Sequence, residues 1–300
     1  MFQNVYSINP GDCIYTCSSF SPDGSRIVIG SNHGHIYLYE TNTFSLIFSK
    51  KIHERAINDI KWALNGSNIL TASEDATLIL FSSNDFTQLR VYSDFEHPFT
   101  KCDVSPSGNI VAAITIEQLL VLWNEYPHQY HNFELIHSDL VTSLQFTRDG
   151  KSLLTSSMDG LCRIWDSDTF YLLKTISFPI PISSSIFSPN ESFIIIATMD
   201  SKIHFYDFVE NKTIGFLIGH KNKEKLCSLH NVITGNGQQQ VVIQGDNGNI
   251  ICWDLRTQNI LWKLDQIKPP LIPFNITLDG KLIMTSSKDG TVMFWRRNGQ

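Results

Sequence analysis

Short runs of apolar residues, rich in β-branched and aromatic side chains, recur along the whole chain between polar turn signals. Seven of these runs end on an aromatic residue: 36–39, 78–81, 120–123, 162–165, 203–206, 250–253 and 292–295. Their closing residues, Tyr39, Phe81, Trp123, Trp165, Tyr206, Trp253 and Trp295, are separated by 42, 42, 42, 41, 47 and 42 residues. Runs this short predict strands rather than helices. Self-similarity at such a period predicts an all-β, seven-bladed β-propeller, each repeat folding into one four-stranded blade.

The clearest copy contains Ser156-Ser-Met-Asp-Gly-Leu-Cys-Arg-Ile-Trp-Asp166. There the predicted strands cover 140–147, 152–156, 161–165 and 171–176, with turns at Arg148-Asp-Gly150, Met158-Asp-Gly160 and 166–168. Seven such copies fill the chain, so residues 1–300 are expected to form a single domain. The last copy stops after its third strand, while residues 2–7 are a β-like segment with no repeat of their own. The N-terminal strand is therefore expected to complete the last blade and close the ring, since an open ring exposes two bare sheet edges.

Composition changes this picture little. A 42% hydrophobic content supports a packed core, and a net charge of −6 argues against a general polyanion-binding surface, so no direct nucleic-acid partner is expected. Six cysteines show neither metal-ligand spacing nor a disulfide framework, which suits a reducing compartment. No apolar run approaches a membrane span and the N-terminus is polar, so neither membrane association nor a signal peptide is expected.

Candidate chemistry is repeated rather than unique. Asp75, Glu117, Asp159, Asp200 and Asp289 stand six positions before the closing aromatic, with His33 and Asn247 in the other two copies. His53 and His137 stand 28 positions before theirs, and His97 and His220 fill that role at shifted distances. An Asp–His pair beside a Ser or Thr and an indole can form a buried hydrogen-bond network within a blade. Recurrence in several blades favours structure over catalysis, because an active site is single. Tyr126-Pro-His-Gln-Tyr-His131 lacks a third ligand for a metal, Cys13 and Cys17 read as apolar filler on one strand face, and the 221–225 and 235–240 segments read as polar loops. No phosphate loop, nucleophile elbow or zinc-binding helix motif occurs, so no enzyme, cofactor or metal is expected.

These features resemble the WD-repeat family over the whole chain. In the second half, His137-Ser-Asp, Phe146-Thr-Arg-Asp-Gly150, Asp159-Gly-Leu-Cys-Arg-Ile-Trp-Asp166, Phe187-Ser-Pro-Asn190, Ala197-Thr-Met-Asp200 and Gly219-His-Lys-Asn222 are similar to one branch of it. That branch supplies the propeller core subunit of COMPASS-type histone lysine methyltransferase complexes. The resemblance implies a nuclear, non-catalytic scaffold, a monomer within a hetero-complex, that docks other subunits and a histone tail.

It also implies two surfaces. At the channel mouth, where the branch holds an arginine between two Phe rings, the matching positions are Thr16, Asn58, Glu74, Thr100, Thr142, Met158, Ser183, Cys227 and Leu271. In the sixth repeat Leu226 and Leu229 compete with Cys227 for the position. Thr100 stands where one Phe belongs and an aliphatic residue or Cys where the other does; a shift of local register, with 97–104 two residues shorter than 137–146, would let Phe99 partly replace the first ring. Losing two cation–π contacts costs about 1–4 kcal/mol. The second surface, between the fifth and sixth blades, takes an acidic and apolar partner segment and matches Asn190, Phe193, Phe205 and Arg256. Two other readings stand beside this one: an adaptor in another assembly, such as a spliceosome or ubiquitin ligase, and a propeller enzyme using Glu74 and Asp75 at one mouth.

Overall fold

Every predicted strand run becomes a strand, because each places small or branched apolar residues on both faces of a pleated sheet. In the computed structural model these strands form seven four-stranded antiparallel sheets, numbered here as blades one to seven from the N-terminus. The structure describes residues 2–8, 13–63, 66–93, 95–124, 129–133, 136–218, 229–233, 239–244, 249–264, 274–287 and 290–297. Blade four shows the pattern: Val141–Phe146, Ser152–Ser157, Leu161–Asp166 and Leu172–Ser177 pair in that order from the axis outwards. These strands lie within a residue or two of the sequence-predicted ones.

The ring closes as expected. Phe2–Ile8 is the outer strand of blade seven and pairs antiparallel with Val292–Arg297, from Phe2 opposite Arg297 to Ile8 opposite Val292. The seam is packed as well as hydrogen-bonded. Tyr6 stacks on Phe44 of blade one at 4.8 Å, and Asn275 of blade seven donates through Nδ2 to the Ser18 carbonyl at 2.8 Å.

The core lies between blades rather than within them. Seven buried clusters fill the seven interfaces. Leu154, Cys162, Ile164 and Ile176 of blade four, for example, pack on Ile182, Phe187, Ile194 and Ile196 of blade five. Burying both faces of each sheet explains why the runs read as nearly continuous apolar segments instead of strict alternations. The hairpin between second and third strands often needs glycine. Gly160 has φ +80°, and a Cβ there would lie 2.5 Å from the Phe178 carbonyl oxygen, which belongs to the crossing into blade five.

Cys13 and Cys17 do not share a face. Cys17 is buried between blades one and two, whereas Cys13 is half-buried against the cluster between blades seven and one. Cys13 precedes the strand Tyr15–Phe20, so strand periodicity does not govern its direction.

Candidate functional site

Blade four contains the complete polar network. His137 Nδ1 lies 3.0 Å from Asp159 Oδ2, and its Nε2 lies 3.0 Å from Thr155 Oγ1. Trp165 Nε1 donates to the same Thr155 oxygen at 3.0 Å. The indole donates to Thr155, and Nδ1 faces both Asp159 and the Arg163 guanidinium, whose Nη1 lies 2.9 Å away and donates to Ile136 O at 2.6 Å. Burial holds His137 below the usual imidazole pKa, so it is neutral. Burial by itself would raise Asp159, but the amides of Leu161 and Ser138, with His137, outweigh it and hold the carboxyl low.

Other blades carry fragments of this network. Blade two keeps His53, Asp75 and Thr71, with His53 Nε2 2.8 Å from Thr71 Oγ1, but Phe81 supplies no indole. Blade seven keeps Trp295 Nε1 donating to Thr285 Oγ1 at 3.0 Å. Blade three has only a half-exposed His97–Glu117 pair at 3.3 Å. A buried pattern repeated in parts serves packing.

The inner strands line an axial channel of about 760 Å³. Thr16, Asn58, Thr100, Thr142 and Ser183 occupy equivalent ladder positions, as the repeat alignment placed them. Their polar groups are engaged with backbone. Thr16 Oγ1 donates to the Ile57 carbonyl, Asn58 Nδ2 to Phe99 O at 2.7 Å, and Thr142 Oγ1 to Ile182 O at 3.1 Å, each reaching the next blade. Thr100 and Ser183 donate within their own blades, to Ile114 O at 3.2 Å and Ala197 O at 3.1 Å. Asn58, Glu74 and Thr100 come together in a smaller pocket of about 390 Å³ at the mouth, with Arg55, Pro98, Lys101, Ile116, Leu140 and Val141. Met158 is half-buried, and its amide donates to Leu140 O at 2.9 Å.

Cys227 and Leu271 of the expected mouth lie outside the described residues, as do Leu226, His220, Asn247, Asp289 and the segments 126–128, 221–225 and 235–238. Phe99 cannot stand in for the missing ring at the mouth. It is 0% exposed, packed at 5.3 Å from Phe95 and 6.0 Å from Trp123, because its side of the strand faces the interface between blades two and three.

Three residues beyond each mouth position lies a second ring: Ser19, Lys61, Asp103, Gln145 and Ile186, joined by His230 and Asn275. Sequence reading passed over it, although the repeat register carries the signal. Asp103 accepts the Phe146 amide at 2.8 Å and Gln145 the Phe187 amide at 3.0 Å, while Asp59 on the neighbouring layer accepts the Cys102 amide at 3.1 Å. Burial pushes the Asp103 carboxyl up to about 6 against the opposing Lys61 charge. Asp59, aided by Asp103, holds Lys61 protonated. Each carboxylate is thus a clamp between adjacent inner strands. Among the described residues no three His, Cys, Asp or Glu side chains converge to hold a metal.

At the other candidate surface Phe193 and Phe205 meet edge to face, centroids 5.6 Å apart. Phe205 is 3% exposed inside the cluster between blades five and six, whereas Phe193 is only partly buried against it. Asn190 is exposed, and its Oδ1 accepts Ser188 Oγ at 2.8 Å and Ser192 Oγ at 2.9 Å. Arg256 is exposed in the turn after the third strand of blade six, its amide bound to Asp254 Oδ1 at 3.0 Å. Of the four expected residues, Asn190 and Arg256 are exposed, Phe193 is half-buried and Phe205 is core.

A ring of seven blades around a channel, with polar networks inside the blades, defines a WD-repeat β-propeller, a class of proteins that typically act as non-catalytic scaffolds in multiprotein complexes. Residues 13–296 match the family described as the IFT122 first beta-propeller, and the chain belongs to this WD-repeat β-propeller family. It is 25% identical over 320 residues to the COMPASS component SWD3 of Saccharomyces cerevisiae, covering 99% of each chain. It is 27% identical over 189 residues to the pre-rRNA-processing protein IPI3 of Mycosarcoma maydis, covering 61% of this chain and 28% of that protein. With transducin beta-like protein 2 of Homo sapiens it shares 30% identity over 179 residues, covering 53% and 39%. It spans less than half of each of these last two proteins.

Proposed function

We propose that this scaffold is a nuclear core subunit of a histone lysine methyltransferase complex, docking other subunits on the faces of its ring. The observation that carries this reading is the end-to-end correspondence with a COMPASS component, 99% of both chains. Two matches to longer proteins, by contrast, cover only part of this chain, 61% and 53% of it, and less than half of those proteins. A partner segment with acidic and apolar residues would meet Phe193 and the Arg256 charge between blades five and six.

A second reading has its own support. Relatives named for pre-rRNA processing are also similar over much of the chain, 94% of it in one case, which favours an adaptor in a ribosome-assembly complex. A tagged pull-down with mass spectrometry separates the two. Wild type is run beside a Phe193→Ala/Arg256→Glu variant whose melting temperature checks the fold. Recovery of a SET-domain methyltransferase, lost in the variant, is the expected result. Recovery of pre-rRNA-processing factors instead favours the second reading.

A further inference from the structure

The mouth pocket lies where blades two, three and four meet, and Arg55, Lys101 and Glu74 line it beside Pro98, Ile116 and Leu140. Two cations face one carboxylate there. Neither Arg55 nor Lys101 forms an ion pair or side-chain hydrogen bond among the described residues. Nearby acids are committed elsewhere. Glu117 pairs with His97 at 3.3 Å, and Asp59 accepts the Cys102 and Ile60 amides while serving as the main counter-charge to Lys61.

The apolar rim is held in place. Ile116 is 54% exposed, yet its amide donates to Pro98 O at 2.8 Å. Gln118, at φ +64°, braces the same turn: its Nε2 donates to Ile116 O at 2.7 Å and its Oε1 accepts the Val141 amide at 2.8 Å. The backbone of Ile116 is thus fixed, and its exposed side chain lines the same pocket as Arg55 and Lys101.

We propose that this pocket receives the carboxylate of an acidic side chain on a partner segment, with an adjacent apolar residue covering Ile116 and Leu140. The proposal rests on reading the ring as a docking scaffold and reverses the charge preference that the family resemblance implies for the mouth. An incoming carboxylate balances the lining at two charges of each sign, whereas an arginine would leave three cations against one anion.

The test is an NMR titration of the ¹⁵N-labelled full chain with blocked peptides Gly-X-Leu-Gly, X being Glu, Gln or Arg. The Glu peptide is expected to shift the amides of Thr100, Lys101 and Ile116. It should bind about two- to fivefold tighter than its Gln isostere, the range of one partly screened charge pair. Lys101→Glu should abolish that preference and Lys101→Gln should halve it or more, with unchanged melting curves. Tightest binding by the Arg peptide, equal binding of Glu and Gln, or no shift at the mouth with any peptide overturns the proposal. A Glu preference alongside a pull-down devoid of methyltransferase subunits leaves the pocket and removes the histone-complex reading. The opposite pairing removes the pocket alone.

Discussion

Blades three and four stand side by side and fix the same tryptophan in different ways. In blade four Trp165 is held by an indole hydrogen bond to Thr155, itself locked by His137 and Asp159. In blade three Ala113 takes the ladder position of Thr155, so Trp123 has no hydroxyl acceptor there and the network does not form. Aromatic packing takes over: Tyr92, Phe95 and Phe99 surround the Trp123 ring at 4.9, 5.3 and 6.0 Å. The repeat therefore requires a large aromatic at the end of the third strand but not the polar network around it. In both blades the turn after the second strand is tied to the blade's own histidine, through Asp159 to His137 and through Glu117 to His97. In blade three that turn presents Ile116 to the channel mouth.

The largest expected effect tests what the two blades share. Trp165→Ala and Trp123→Ala should each cost about 3–5 kcal/mol in chemical denaturation, as large-to-small core changes. A Trp123→Ala cost below half that of Trp165→Ala would mean the aromatic cluster does not replace the network.

Histidine substitutions sharpen the contrast. His137→Ala strands the buried Asp159 and Thr155 groups and should cost about 2–4 kcal/mol, whereas His97→Ala, in an exposed pair, should stay within about 0.5 kcal/mol. Equal costs would defeat the distinction drawn between the blades.

Acid titration follows from the same network. His137 has a pKa lowered from 6.5 and Asp159 one lowered from 3.8. As pH falls below 6.5 the unfolded His137 takes a proton that the folded one refuses, so the stability contributed by the neutral ring is lost towards its folded pKa. Asp159 acts in the same direction lower down: its contribution is present above 3.8 and is lost as pH falls through its folded pKa. Denaturation midpoints measured from pH 7 to 4.5 should therefore fall less steeply in His137→Gln than in wild type.

The sequence made the fold readable because the aromatic period is local: each of seven strand ends announces itself within its own repeat. Ring closure by residues 2–7 was readable too, as the only strand-like segment left over. The equivalence of the inner-strand positions was readable, but not what their side chains bond to. Thr16, Asn58 and Thr142 were aligned correctly, yet their bonds to the next blade's carbonyls depend on inter-blade spacing, which no local pattern encodes. Arg55 and Ile116 were missed because they sit in turns outside the aligned strand positions. Phe99 was misjudged for a related reason: a one-residue difference in register sends a side chain to the opposite face of a strand, and its direction was fixed only by the bulge between Phe99 and Lys101.

The smallest prediction rebuilds one link of the missing network. In blades four and seven the indole N–H donates to a threonine oxygen at the same ladder position, at 3.0 Å both times. Ala113 occupies that position in blade three, fully buried and opposite Val121. Ala113→Ser adds one oxygen where the other blades carry theirs, with less added bulk than threonine. The new bond should stabilise the protein by about 0.5–1 kcal/mol, the net value of one buried neutral hydrogen bond. Thermal denaturation of Ala113→Ser beside Ala113→Val separates polarity from volume, since valine fills the space without accepting a bond. If serine destabilises as much as valine, the aromatic cluster has drawn the Trp123 ring away from that acceptor position, and blade three has no vacant place for the network to return.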